Sequence, residues 1–219
     1  MKRVFYVMAA ILLCVLSSAV YGQSASSAAQ IKLPEPKYDG TVSVEKALKE
    51  RRTVRTYKDI PLSMNDVSQI LWAAQGITEP GRGLRTAPSA RAQYFLTVYI
   101  FAGNVTGLKP GMYRYVPSGH ILEPVASEDM KEKLYKAAGQ SAIQKAPATL
   151  VMAGAKDRAR NEPWMYLEAG HAAQNVCLEG VSLGIGTVTM AGFDADAVGK
   201  AISLPAGEKV LYIMPIGKK

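Results

Sequence analysis

The chain has 219 residues, 48% of them hydrophobic and 20% charged, with a formal net charge of +8 at pH 7. That length suits one domain of ordinary size with a substantial core. Its two cysteines, Cys14 and Cys177, allow no CxxC redox pair and no cysteine-based metal cluster. The positive charge lacks a long Lys/Arg run or a basic stripe with interleaved aromatics, so nucleic-acid binding has only generic support.

The first segment reads as an address. Met1-Lys2-Arg3 is positive, Val4 to Leu16 is almost wholly apolar, and Ser17 to Gly22 supplies small residues for cleavage, so residues 1–22 are expected to be a secretory signal peptide. The apolar run is short for a bilayer span, which argues against a permanent membrane anchor. Cleavage would remove Lys2 and Arg3 and no acid, lowering the net charge from +8 by two, and would leave Cys177 as the sole cysteine. Residues 23–40, rich in Ser, Ala, Gln and Pro, read as a flexible N-terminal arm, with Pro34 and Pro36 disfavouring helix. Residues 41–219 form the expected folded domain.

Within it, Ser43 is placed to cap a helix carrying Val44, Ala47 and Leu48 on one face. That helix delivers the chain into Arg51-Arg52-Thr53-Val54-Arg55, three guanidinium groups and a hydroxyl within five residues. Such a cluster suits bidentate recognition of phosphate oxygens and contact with a planar heterocycle, features combined in flavin mononucleotide, FMN. The alternative is a solvated basic helix end, where cations oppose the helix dipole. Ser63 with Asp66 resembles a capping box for a second helix with Val67, Ile70, Leu71 and Ala74 inward, broken by Gly76 to Gly83.

Phe95 to Phe101 has the composition of a strand, and Met112 to Val116 with His120 to Val125 flank Pro117-Ser118-Gly119 as a hairpin. Ser127 is expected to open a helix with Met130, Leu134 and Ala138 inward, followed by a short strand from Ala148 to Ala153. Pro163 starts a long helix through Leu183, in which Leu167, Gly170, Ala173, Gln174, Cys177 and Val181 recur at helical spacing, a candidate face for the core or for a subunit seam. Ile185 to Met190 and Val210 to Ile216 are two further strands around a helix capped by Asp194. Without strict βαβ alternation, the pattern implies an α+β fold with helices flanking a mixed central sheet.

Several chemistries find no footing. Gly184-Ile185-Gly186 follows a helix and leads into a strand, the wrong order for a nicotinamide-binding turn, and reads instead as a helix C-cap with a tight turn. No GxSxG, HExxH or phosphate-loop GK[ST] sequence occurs. His120 and His171 stand alone and read as structural, and no paired-His motif offers a metal site.

Four segments in order resemble the nitroreductase superfamily of flavin enzymes, and most of all its azoline-oxidase-like branch, from about Val44 to Lys219. Arg51-Arg52-Thr53-Val54-Arg55-Thr56-Tyr57 is similar to the opening RRSxRxY motif, with Thr53 in place of Ser. Arg85-Thr86-Ala87-Pro88-Ser89-Ala90-Arg91-Ala92-Gln93-Tyr94 is close to RxAPSAGAxYP, with Arg91 in place of Gly and Phe95 in place of Pro. Classical nitroreductases carry an Asn near Ala92. Gly184 to Asp194 resembles the strand that ends in a GFD turn, and Met214 to Lys219 resembles the closing PxG-basic motif.

The resemblance implies a nitroreductase-like fold, an intertwined homodimer with FMN between subunits, and hydride transfer through the flavin N5 with no catalytic side chain. It implies cofactor contacts from Arg51, Arg52, Thr53 and Arg55, with Arg51 and Lys219 on the phosphate and Arg55 and Arg52 on the ring. Pro88, Ser89 and Ala90 would pass beside the flavin across the seam. Met190, Ala191 and Gly192 would face N5, and Gly217 would lie in the phosphate-side turn. An exported FMN-dependent oxidoreductase with a small-molecule substrate and an unassigned electron donor is the first expectation. An exported flavin-binding or scaffold protein without turnover is the second, and a basic secreted binder of anionic polymers the third.

Overall fold

Residues 29–159 and 161–219 are described by the structure, a computed structural model. The expected signal peptide lies outside them. In chain order the first elements are β1 (Ile31–Lys32), α1 (Val44–Glu50), α2 (Met64–Gln75), β2 (Ile77–Glu79), β3 (Leu84–Arg85), β4 (Leu96–Ala102), β5 (Gly111–Val116) and β6 (Ile121–Ala126). They are followed by α3 (Lys131–Ala138), α4 (Ser141–Lys145), β7 (Ala148–Ala155), α5 (Glu162–Ser182), β8 (Ile185–Thr187), α6 (Ala195–Ala201) and β9 (Glu208–Lys218).

Seven strands form one sheet in the order β1-β6-β5-β4-β7-β9-β8, and every pair of named neighbours runs antiparallel. The expected mixed sheet is therefore antiparallel in its strands, with parallel pairing confined to isolated bridges such as Thr53 to Thr187. The central strands β4 and β7 are almost wholly buried because both faces are covered. Side chains alternate across a pleated strand, so Val98, Ile100, Leu150 and Met152 meet Ile70, Leu71, Met165 and Val176 of α2 and α5. Tyr99, Phe101, Val151 and Ala153 meet Leu134, Ile143, Val198 and Ile202 on the opposite side. Ile100 and Leu150 are 0% exposed, and burying each such side chain contributes about 1.5–3 kcal/mol. This is an α+β fold in three layers.

The helix ends follow their capping residues. Ser63 Oγ accepts from Asp66 N at 3.1 Å while Asp66 Oδ2 accepts from Ser63 N at 2.9 Å, a closed capping box. Ser43 Oγ accepts from Lys46 N at 3.2 Å, and Asp194 Oδ1 from Asp196 N and Ala197 N, each at 3.0 Å. Ser127 does not cap α3: Asp129 Oδ1 takes Lys131 N at 2.9 Å, and the helix starts four residues after Ser127, at Lys131. Gly184, with φ +64°, closes α5 in the left-handed region that favours glycine.

Part of the expected arm belongs to the fold. Ile31 and Lys32 pair with Leu122 and Ile121, Leu33 is buried, and Lys37 exchanges two hydrogen bonds with the Gln69 amide at 2.8 and 2.9 Å. The prolines exclude helix but permit this extended edge. Beneath it lies buried His120, whose Nδ1 accepts from the Tyr115 hydroxyl at 2.8 Å and whose Nε2 lies 2.7 Å from Ser68 Oγ and 3.1 Å from the Pro34 carbonyl. A neutral ring protonated on Nε2 satisfies all three contacts.

Burial lowers the His120 pKa below its ordinary value, with the Pro34 carbonyl acting in the opposite sense. The unfolded chain therefore takes up this proton at higher pH than the folded one. Stability from His120 is full above about pH 6.5 and falls as the pH drops toward the lowered folded value. Urea midpoints are expected to be lower at pH 5.5 than at pH 7.5. A His120→Gln variant, weaker at both, is expected to lose most of that difference.

Candidate functional site

The arginine-bearing segment lies against a pair of glycines. Val54 N donates to Thr187 O at 2.9 Å and Lys58 N to Lys218 O at 2.9 Å, which lays residues 53–58 along the ends of β8 and β9. There Gly186 and Gly217 stand opposite each other in register. A Cβ on Gly186 would sit 2.6 Å from Val54 Cγ1, and one on Gly217 would sit 2.8 Å from Tyr57 Cβ. Side chains at both positions would push the segment off the sheet. The Tyr57 hydroxyl lies within reach of the Val54 and Pro215 carbonyls at 3.1 and 3.2 Å. Burial pushes its pKa up, against the opposing pull of Arg55, so it stays a neutral staple.

The side chains of the cluster divide. Arg52 Nη1 donates to the Lys49 and Arg51 carbonyls, both at 2.8 Å, and so completes the C-terminus of α1. Arg51 and Arg55 have no hydrogen-bond partner and no carboxylate within 4.0 Å among the described residues. Thr53 is exposed and bridges to Thr187 through its backbone. Gly217 is buried, and its place is the seat for Tyr57. At the chain end, Lys218 Nζ pairs with Asp66 Oδ1 at 2.7 Å and donates to Leu183 O at 3.2 Å. Lys219 is exposed, with its N–H held by Gly184 O at 3.1 Å.

The 190–192 turn continues from β8. Met190 is buried and exchanges two backbone bonds of 3.0 Å with Ile213, so its N–H is taken. Ala191 and Gly192 are exposed, and their N–H groups have no partner among the described residues. A Cβ on Gly192 would meet nothing within 4 Å, so the space above this turn is open.

Pro88, Ser89 and Ala90 sit elsewhere, on α5, and no hydrogen bond joins them to the arginine segment among the described residues. Ser89 Oγ donates to Glu168 Oε2 at 2.6 Å and accepts from Tyr94 N at 2.8 Å. Its hydroxyl proton is thus committed, and the N–H groups of Ser89 and Ala90 are the donors left free. His171 Nδ1 donates to Pro88 O, and Asn175 Nδ2 to Thr86 O, each at 3.1 Å.

Glu168, His171 and Asn175 recur at i, i+3 and i+7, one polar stripe that clamps residues 86–89 to the helix. Glu168, 1% exposed, also accepts from Phe95 N at 3.1 Å, Leu96 N at 3.3 Å and Gln75 Nε2 at 3.2 Å. Sequence reasoning missed Glu168 and Asn175 in this clamp, while His171, read as structural, holds the Pro88 carbonyl. Three polar side chains at helical spacing among small apolar ones were the available signal.

Of the two roles open to the Leu167 to Val181 face of α5, the core takes only Ala173 fully, and other positions of the helix are buried instead. Met165, Glu168, Ala169, Ala172, Ala173, Val176 and Gly180 are buried, whereas Leu167 is 60% exposed and Tyr166 44%. Cys177 is half-buried beside Thr189, with Sγ 3.9 Å from Oγ1; burial pushes its thiol up, which disfavours a nucleophilic thiolate.

The fold is a layered α+β domain in which Arg51 and Arg55, beside a glycine-lined sheet edge, have no carboxylate partner among the described residues. The Nitroreductase family profile matches residues 48–218, and the chain belongs to that family. A nitroreductase-family protein of Methanocaldococcus jannaschii is 35% identical over 197 residues, covering 87% of this chain and 96% of that one. A crystal structure of a family member from Ralstonia eutropha superposes with a TM-score of 0.76 at 29% identity, over 88% of this chain and 90% of that one. Another, from Desulfovibrio desulfuricans in complex with FMN, gives a TM-score of 0.60 at 20% identity, over 80% and 84% of the two chains.

Proposed function

We propose that this protein is an exported FMN-dependent oxidoreductase that works as a homodimer. The observation that carries the cofactor is the pair Arg51 and Arg55, guanidinium groups without a carboxylate partner among the described residues, on a segment seated by Gly186 and Gly217. Unsatisfied cations of that kind suit a phosphate ester. The free N–H groups of Ala191 and Gly192 add donors for a flat ring, with no side chain to block its approach. The FMN complex of the D. desulfuricans relative supports the same choice. Bound FMN would supply hydride transfer at its N5.

The chain's own residues bind and orient. Arg51 and Lys219 hold the phosphate, Arg55 balances negative charge on the ring, and Arg52 braces the end of α1 beneath them. Ala191 and Gly192 present backbone donors to the reacting edge, and the 88–90 loop covers the ring from the partner subunit. The dimer reading draws on the outward faces of two packed helices: Leu167 and Tyr166 on α5, Val44 and Leu48 on α1, all exposed in the single chain. A second copy would bury them. Val4 to Leu16, with Lys2 and Arg3 before it, supports export, and no helix among the described residues is long and apolar enough to cross a membrane.

Turnover separates an enzyme from a flavin store. Photoreduction of the flavoprotein without oxygen, followed by a quinone acceptor, is expected to return the oxidised spectrum within seconds over repeated cycles. A bleached flavin that persists in excess acceptor would instead fit the non-catalytic binding protein.

A further inference from the structure

The loop after Ser89 concentrates left-handed backbone at residues other than glycine. Among the described residues five non-glycine positions have positive φ, and three of them fall here: Arg91 at 55°, Ala92 at 52° and Tyr94 at 49°. A non-glycine residue in this region is strained, and glycine would avoid the strain. Strain of this kind persists where the surroundings over-determine it, and it gathers at functional sites. The loop is so determined: Ser89 Oγ is bonded to both Glu168 and Tyr94 N, Ala92 N donates to Ser89 O at 3.1 Å, and Phe95 N is held by Glu168.

What this arrangement displays is positive charge. The Arg91 guanidinium lies 5.8 Å from the centroid of the Trp164 ring, is exposed, and has no carboxylate within 4.0 Å among the described residues. In the same loop region, the half-buried Arg85 lies 4.3 Å over the Tyr94 ring and donates from Nη1 to Gln75 Oε1 at 2.8 Å. Its Nε–H is buried without a hydrogen-bond partner among the described residues. A cation stacked on an indole is held in place while its outer N–H groups stay free.

We infer that Arg91, set on Trp164 by the strained 89–94 loop, is the specificity-determining residue that selects small substrates carrying a carboxylate. The assignment rests on the flavin reading, in which Ser89 and Ala90 lie beside the ring, because that places Arg91 at the edge of the space an acceptor would enter. An anion there would pair with a guanidinium that otherwise has no counter-charge. A neutral analogue of the same shape would gain only the contact with the rings.

The test compares 4-nitrobenzoate with 4-nitrobenzamide, equal in ring and nitro group and different in charge. Binding to the full-length holoprotein is read by the flavin difference spectrum and, separately, by tryptophan fluorescence, which needs no flavin. The wild type is expected to bind the carboxylate about tenfold more tightly, the effect of roughly 1.4 kcal/mol. Arg91→Gly, which suits the left-handed backbone and should fold at least as well, is expected to erase that preference and leave amide binding unchanged. Arg91→Lys is expected to keep part of it. A flavin-replete wild type with no preference, or an Arg91→Gly protein that retains it, overturns the assignment. A flavin-free protein whose fluorescence still reports an Arg91-dependent preference would uphold Arg91 and sink the flavin reading instead.

Discussion

Replacing Arg51 and Arg55 together with alanine is expected to empty the protein of FMN while leaving its thermal unfolding close to that of the flavin-free wild type. Neither side chain bonds to any part of the described fold, so their removal exposes no orphaned partner. Each charge-assisted hydrogen bond to a ligand contributes about 1.5–3 kcal/mol. Losing two weakens binding by about 3–6 kcal/mol, at least roughly a hundredfold. The measurement is flavin per protein after desalting, with a melting curve on the same sample. Full flavin content in the folded double variant would remove this segment from the site. Arg52→Ala is the informative contrast, because Arg52 caps α1 through the Lys49 and Arg51 carbonyls and its loss should register in stability first.

Glu168→Ala is expected to have the largest effect on stability. One buried carboxylate serves the Ser89 hydroxyl, the N–H groups of Phe95 and Leu96, and the Gln75 amide. Truncation leaves several buried donors without an acceptor, each costing about 1–3 kcal/mol, and water entering the space recovers some of it. A net loss of about 3–5 kcal/mol is expected, a large part of the 5–15 kcal/mol that holds a typical domain. For a chain of this size that corresponds to a fall of about 6–20 °C in Tm. Glu168→Gln keeps one acceptor oxygen and is expected to fall between. A melting temperature within a degree or two of wild type for the alanine variant would show that the clamp on residues 86–89 carries little of the fold's stability.

The parts of the fold that local chemistry dictates were legible in the chain. Ser43, Ser63 with Asp66, and Asp194 announce helix starts because their side chains satisfy the first orphan N–H groups. Gly184 announces a helix end because only its backbone turns left-handed without strain. The apolar run from Phe95 to Phe101 announces a strand covered on both faces.

What escaped the sequence depends on partners distant in the chain. Leu167 and Glu168 are neighbours about 100° apart around a helix, and hydropathy alone left the Leu167 face open to the core or to a subunit seam. The buried position instead goes to the carboxylate, because Ser89, Phe95, Leu96 and Gln75 all meet there. Gly186 and Gly217 read as turn or motif glycines. That they face each other beneath Val54 and Tyr57 follows only from the β8–β9 register. Ile31 to Lys37 looked like a tether, since its role depends on a β6 edge that needs a partner and on His120 beneath it. The motif at residues 51–57 could not show that Arg52 turns back to its own helix.

The most direct test is the visible absorption spectrum of residues 23–219, purified without added cofactor and compared before and after heat release of any bound ligand. The account predicts oxidised-flavin bands, with FMN in the released fraction. A colourless protein that also takes up no added FMN would contradict it and leave a binding module for other anions.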